Sequence, residues 1–320
     1  MSLQTPICDL LGIDVPVFLA GMGGVAYFEV CAAVSEAGGY GTLGMVGCTP
    51  EQIRDEMRAV RKRTDKPFGV DLLAALPESI DAAIDVIIEE GASTFIAGLG
   101  VPGPVIEKCH RSGVKVISMC GKVSHAIAAE EAGCDIVVAQ GTEAGGHTGK
   151  IAGMALIPQV VDAVRIPVLA AGSIVDGRGL AAALAFGAQG VWMGTRFIAS
   201  EEARVARVYQ DAILAADAGA TMVTRCYSGK PMRVIANSYA EEMERRTDEI
   251  RPFPAQLAKS AEDGLMSVFF GDTEGMKAER SCMPAGQGSG GIDEVLPAGE
   301  IVRRVVDEAR QVIGKLGALA

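Results

Sequence analysis

PVLAAGSIVDGRGLAAALAFGAQGVWMGTRF, residues 167–197, says the same thing twice. A short apolar run, PVLAA (167–171), ends in Gly172 and Ser173; an amphipathic stretch, DGRGLAAALAFG (176–187), stops at a glycine; a second short run, GVWMG (190–194), ends in Gly194 and Thr195. Neither short run alternates apolar with charged residues. That is how strands of a parallel sheet read when both faces are covered. Gly187 stands where a helix needs a left-handed residue to stop.

Working outward, the same unit recurs. The earlier short runs are VFLA (17–20), GTLG (41–44), FGVD (68–71), STFIA (93–97), KVISM (115–119) and DIVVA (135–139). Between them lie helical stretches at 27–38, 50–64, 77–91, 102–113, 124–133 and 155–164; Thr49 and Pro50 form a cap and first residue for the second of these. The eighth helical partner is displaced to GEIVRRVVDEARQVIGKL (299–316). Eight strands with eight helices predict an α/β fold, a closed (β/α)8 TIM barrel. The rival, an open doubly wound sheet, usually carries G-x-G-x-x-G after its first strand, and AGMGGVA (20–26) is not that pattern. Helical runs near 201–217, 232–246 and 255–268 predict an inserted α-helical subdomain between strand 8 and the final helix. The expected division is a barrel core over 1–198, a helical insertion and covering segment over 199–297, and a closing helix over 298–320.

The chain has 320 residues, 49% hydrophobic, ample for a large core. Its net charge of -11 and the absence of a basic stripe argue against nucleic acid. No apolar run reaches membrane-spanning length, and the N-terminus lacks the pattern of a signal peptide. Eight cysteines without a C-x-x-C pair read as free thiols in a reducing compartment, the cytoplasm. A small-molecule substrate is expected, and a homodimer is left open.

In such a barrel, function sits in the loops after the strands. Gly172 and Ser173 follow strand 7, and Gly194 and Thr195 follow strand 8; exposed N–H groups beside hydroxyls suit a phosphate. GMGG (21–24) lets a flat ring lie against backbone, Lys122 offers a cation and Gln140 an amide, while Asp71 needs a donor. Flavin mononucleotide fits this set, and a sugar phosphate fits it too. His147, in EAGGHTGK (143–150), lies over the same mouth with room around it, and an imidazole suits proton transfer near neutrality. Glu143 reads as a loop clamp before it reads as an acid, and Cys120 is a weak nucleophile candidate. His110 and His125 sit in helical runs, away from the C-terminal ends of the strands, and read as residues without a part in the site. The small-residue tail MPAGQGSGG (283–291) can fold over the mouth, with Gln287 and Ser289 as substrate-side donors; Tyr227 is a further wall candidate.

GMGGVA (21–26), KPFGVD (66–71), QGTEAGGHTGK (140–150), AAGSIVDGRG (170–179), MGTRF (193–197) and AGQG (285–288) together resemble the nitronate monooxygenase family, formerly the 2-nitropropane dioxygenases. The resemblance covers nearly the whole chain and implies an FMN-containing barrel. It implies phosphate contacts from Gly172, Ser173, Gly194 and Thr195, and places Met22, Gly23 and Gly24 beside the ring. Lys122, Gln140 and Gly145 complete the flavin surroundings, and His147 matches the catalytic base. The family's usual residue after FGV is asparagine, where this chain has Asp71. The same scaffold houses flavin enoyl-acyl-carrier-protein reductases and NADH:quinone reductases, so the resemblance leaves two activities. One is oxidation of alkyl nitronates by O2 to a carbonyl compound and nitrite. The other is reduction of an enoyl thioester or quinone with NADH or NADPH.

Overall fold

The computed structural model describes residues 3–73, 80–98, 103–270 and 274–319. The expected helix starts at 77–79 and at 102 lie outside the described residues.

Eight parallel strands form one sheet: β1 (Val17–Leu19), β2 (Gly41–Gly44), β3 (Phe68–Leu73), β4 (Thr94–Gly98), β5 (Lys115–Cys120), β6 (Ile136–Gln140), β8 (Val168–Ala171) and β9 (Gly190–Met193). A two-residue strand, β7 (Gly146–His147), lies between β6 and β8 in sequence and belongs to another sheet. The order β1-β9-β8-β6-β5-β4-β3-β2 leaves β1 and β2 as the two ends. These meet through a parallel bridge from Phe18 to Tyr40, with Leu19 N donating to Tyr40 O (2.9 Å) and Tyr40 N to Val17 O (2.9 Å). The sheet therefore closes as the TIM-type barrel that the sequence predicts.

Alternate residues divide two cores. Ile136, Val138, Leu169 and Trp192 point inward with Phe18 and Tyr40, while Val137, Ala139, Val191 and Met193 point out toward the helices. The inner cluster is plugged by a helix that the sequence reading missed, α1 (Pro6–Leu11), through Ile7, Cys8 and Leu11.

The outer helices are α2 (Phe28–Glu36), α3 (Pro50–Arg61), α4 (Ile80–Glu89), α5 (Gly103–Arg111), α6 (Val123–Glu131), α7 (Gly153–Ala163) and α8 (Gly177–Ala185). Thr49 and Gln52 close a reciprocal capping box at the start of α3. A short helix, α9 (Thr195–Ile198), follows β9. The last helix, α13 (Ala298–Gly317), returns to pack between α8 and α2, and fills the displaced eighth position. Gly177 lies against Val305 and Ala309 with no room for a side chain, and its N–H donates to Glu308 Oε2 (2.9 Å).

The segment between α9 and α13 carries extra helices: α10 (Arg207–Leu214), α11 (Ser238–Glu244) and α12 (Ala255–Glu262). It is not wholly helical. Where one helix is expected over 232–246, the chain forms β11 (Met232–Ile235) and then α11, which Asn237 caps by accepting from Ala240 N. β11 pairs antiparallel with β10 (Thr221–Thr224) on one side and with β7 on the other, Met232 opposite His147 and Arg233 opposite Gly146. Gly229 and Pro231 prevent a helix from starting earlier, and tertiary pairing overrides the helical pattern that follows. No helix among the described residues is long and apolar enough to cross a membrane. All eight cysteines are free.

Candidate active site

A cavity of about 1320 Å³ opens at the C-terminal ends of the barrel strands. Two loops at one end present unclaimed donors. Gly172 (φ 111°) and Ser173 (φ 51°) turn the chain left-handed after β8, a conformation that non-glycine residues seldom adopt outside functional turns. Among the described residues, no protein acceptor takes the N–H groups of Gly172, Ser173, Gly194 or Thr195. All four residues line the cavity. The Thr195 hydroxyl accepts from Gly286 N (3.0 Å), and Gly288 lies so close to Ser173 that a Cβ would stand 3.0 Å from its Cα. The tail at 285–288 therefore packs against this end. These donors and the backbone that approaches them fit a phosphate with a chain attached.

Met22 and Gly23 form part of the wall beyond, and Met22 Sδ would lie 3.3 Å from any Cβ at Gly194. Gly24 (φ 76°) is off the wall: a side chain there would run into the backbone of Val268 and Phe269, so the glycine lets the insertion press on the β1 loop. Lys122 and Asp71 line the cavity. Asp71 faces a notch left by Gly21, with no hydrogen-bond or ion-pair partner among the described residues, and its enclosure raises its carboxyl well above the ordinary range. Gln140 also borders the cavity, but its amide is committed, donating to the His147 carbonyl (2.6 Å).

The glycines around His147 have separate reasons. Gly145 leaves room for Ala285 and Gly286 of the tail, Gly146 takes φ 74°, and Gly149 passes against Gly121. His147 Nε2 lies 2.9 Å from Ser228 Oγ, on the turn before β11. Burial, with Lys230 nearby, lowers the imidazole to about 4, so the ring is neutral across the physiological range. Glu143 is the clamp: its carboxylate accepts from Gly153 N (3.0 and 3.1 Å) at the start of α7, and its carbonyl from Gln287 N (3.0 Å). Burial pushes the Cys120 thiol up to about 12, which removes it as a thiolate.

Three expected substrate contacts fall elsewhere. Tyr227 is fully buried among residues of the insertion, its hydroxyl donating to Asn237 Oδ1 and the Arg280 carbonyl (3.1 Å each). Ser289 is buried and donates to the Gly286 carbonyl (2.7 Å). The Gln287 side chain is exposed and does not line the cavity. Arg196 is likewise spent inside the protein, donating to the Ala199 and Glu294 carbonyls. His110 pairs with Asp135 (2.8 Å), as a surface histidine should, but His125 borders the cavity.

Sequence reasoning named Tyr227 as the insertion's wall candidate and missed the residues that form that wall. Ser228 and Lys230 line the cavity, as do Pro254, Leu257, Ala258 and Ala261 of the α12 region and Met266 and Phe269 after it. Ser228 meets His147 across 81 positions of sequence, and no local pattern signals such a contact.

The sequence pattern of the family described as nitronate monooxygenase matches residues 4–83 and 78–308. A protein of Staphylococcus saprophyticus described as "Probable nitronate monooxygenase" is 36% identical, over 80% of this chain and 85% of its own. Among solved structures, FabK from Thermotoga maritima is 37% identical with a TM-score of 0.90, covering 99% of both chains. Nitroalkane oxidase from Streptomyces ansochromogenes is 29% identical with a TM-score of 0.87, covering 97% of this chain and 99% of its own. With the barrel, the donor-bearing loops and the enclosed imidazole already in place, these matches establish that the chain belongs to the nitronate monooxygenase family, an oxidoreductase whose kinship implies FMN as cofactor.

Proposed function

We propose that the chain binds FMN in this cavity and oxidises alkyl nitronates with O2 to a carbonyl compound and nitrite, with His147 as the base that brings neutral nitroalkanes into the reaction. The observation that carries this reading is the meeting, in one cavity, of unclaimed N–H donors on two loops with a neutral imidazole. In this reading Gly172, Ser173, Gly194 and Thr195 hold the phosphate. Met22 and Gly23 flank the ring, and Gly24 supports that loop from behind. Asp71, Lys122, Gln140 and Gly145 complete the surroundings. Bound FMN supplies the electron acceptor.

The chain's own residues do the rest. His147, unprotonated at neutral pH, takes a proton from the carbon beside the nitro group. Among the described residues, the cavity lining contains Lys122, Lys150 and Lys230 but no carboxylate other than Asp71. In a chain of net charge -11 this lining favours an anionic substrate such as a nitronate. The test is anaerobic stopped-flow of the purified yellow protein mixed separately with propyl nitronate, NADH and NADPH. Fast bleaching by the nitronate alone is expected. A protein that carries no flavin and takes up no FMN sinks the cofactor assignment.

One observation favours a second reading. Leu257, Ala258, Ala261, Met266 and Phe269 extend the cavity as an apolar wall, more than a short nitronate needs. With the likeness to FabK, this suits a reductase that takes hydride from NADH or NADPH and acts on an enoyl thioester or a quinone. Fast bleaching by a pyridine nucleotide in the same experiment selects it.

A further inference from the structure

We propose that Ser228 is a positioning residue that fixes the tautomer of His147, placing the ring proton on Nε2 and leaving Nδ1 as the atom that receives the substrate's proton. The proposal rests on reading His147 as the base.

Hydrogen-bond accounting carries it. Ser228 is fully buried. Its Oγ lies 2.9 Å from His147 Nε2, 3.2 Å from the Lys230 carbonyl and 3.3 Å from Lys230 N. The amide can only donate, the carbonyl can only accept, and the hydroxyl has one proton to give. Giving it to the Lys230 carbonyl satisfies every group, provided that Nε2 carries a hydrogen and donates to Oγ. Giving it to Nε2 leaves the Lys230 carbonyl without a donor among the described residues. It would also force a hydrogen onto Nδ1, for which no acceptor is in range among the described residues. Nδ1 belongs to a ring that borders the cavity, so a hydrogen there would meet only what the cavity holds, whereas the buried Ser228 hydroxyl and the Lys230 carbonyl are both satisfied when Nε2 carries the hydrogen. The backbone that carries the ring is held from both sides, by Gln140 on the His147 carbonyl (2.6 Å) and by the pairing of β7 with Met232. The neutrality of the ring at physiological pH gives the choice of tautomer its consequence.

In the step that follows, the substrate C–H bond breaks and its proton moves to Nδ1. The electron pair stays on the substrate, which becomes the nitronate. The imidazolium keeps its Nε2–H on Ser228 Oγ, and the Nδ1 proton later passes to solvent.

The chain has three histidines, so ¹⁵N-histidine labelling of the FMN-loaded protein, with His147→Gln to identify the resonance, reads the tautomer directly. The wild type should show Nε2 protonated and Nδ1 bare. Ser228→Ala should show both tautomers, and its ratio of neutral-nitroalkane to nitronate turnover should fall about tenfold, the order expected for one lost orienting hydrogen bond. Ser228→Thr, which keeps the hydroxyl, should restore both readouts. A wild-type ring protonated at Nδ1 overturns the proposal, as does an Nε2–H tautomer that survives unchanged in Ser228→Ala. The base reading fails separately, if His147→Ala slows nitroalkane and nitronate equally.

Discussion

The loops after β8 and β9 and the turn before β11 face one cavity and are built by different means. On the barrel side, the chain exposes its own backbone: Gly172, Ser173, Gly194 and Thr195 offer N–H groups fixed by the ends of two adjacent strands. On the insertion side, side chains carry the contacts. Ser228 reaches His147, Arg233 donates to the Thr142 carbonyl (3.1 Å), and α12 presents an apolar face. The first side suits a group common to a whole family, because a phosphate needs only donors and room. The second suits whatever distinguishes one member from another, because side chains on an insertion change without disturbing the barrel.

The sharpest attempt to break this division is Gly172→Asp. A side chain there meets Glu143 (3.1 Å from a Cβ) and sets a like charge against a phosphate, at a φ that aspartate tolerates poorly. FMN affinity should fall at least ~100-fold, the order of two or more lost charge-assisted hydrogen bonds, read as flavin absorbance after gel filtration. A fully loaded variant would mean that the phosphate lies elsewhere.

Next in size is His147→Ala, which should keep FMN and lose roughly 10²- to 10⁴-fold in turnover of neutral nitroalkane, the usual worth of a general base. Turnover of preformed nitronate should fall far less. The pH profile sharpens the same point: the base is active while unprotonated, so nitroalkane turnover should hold as pH falls past ordinary imidazole values and decline only toward about 4. A midpoint near ~6.5 would mean that His147 is as solvated as a free histidine.

Leu257→Gln probes the insertion wall. If long apolar substrates use it, their KM should rise roughly tenfold, the order of one buried leucine side chain, with FMN content and short-chain KM unchanged. Equal KM changes for short and long substrates would detach α12 from specificity.

The smallest effect concerns Asp71. Its folded carboxyl is raised above the unfolded value, so its contribution to stability is fully present below the unfolded pKa of about 4 and is lost as pH rises through the folded value. Asp71→Asn should therefore raise the melting temperature of the FMN-free protein under alkaline conditions, with the difference vanishing in acid. A pH-independent difference would show that Asp71 ionises as freely in the folded chain as in the unfolded one.

Much of the barrel side was legible in residues 167–197. Gly172, Gly187 and Gly194 mark strand and helix ends by local backbone requirements, and the strand periods are local as well. The expected helix over 232–246 failed because Met232–Ile235 pairs along its whole length with Thr221–Thr224, and Met232 and Arg233 pair also with His147 and Gly146, which lie far away in sequence. Tyr227 and Ser289 were plausible as substrate contacts because nothing local distinguishes a hydroxyl aimed at a cavity from one satisfied by Asn237 or the Gly286 carbonyl. Asp71 could be picked out by position, but only the Gly21 notch and the lack of a partner disclose its enclosure.

The sequence by itself determined the closed parallel barrel, the displaced last helix, the glycine-bearing loops after β8 and β9 and the histidine at the rim. Each of these follows from periodicity, glycine placement and strand count, which act over a few residues. Tertiary structure alone decided the neutrality of His147, its contact with Ser228 and the apolar wall of α12. Burial and hydrogen-bond partners are properties of what the fold brings together, and the residues concerned lie many positions apart along the chain.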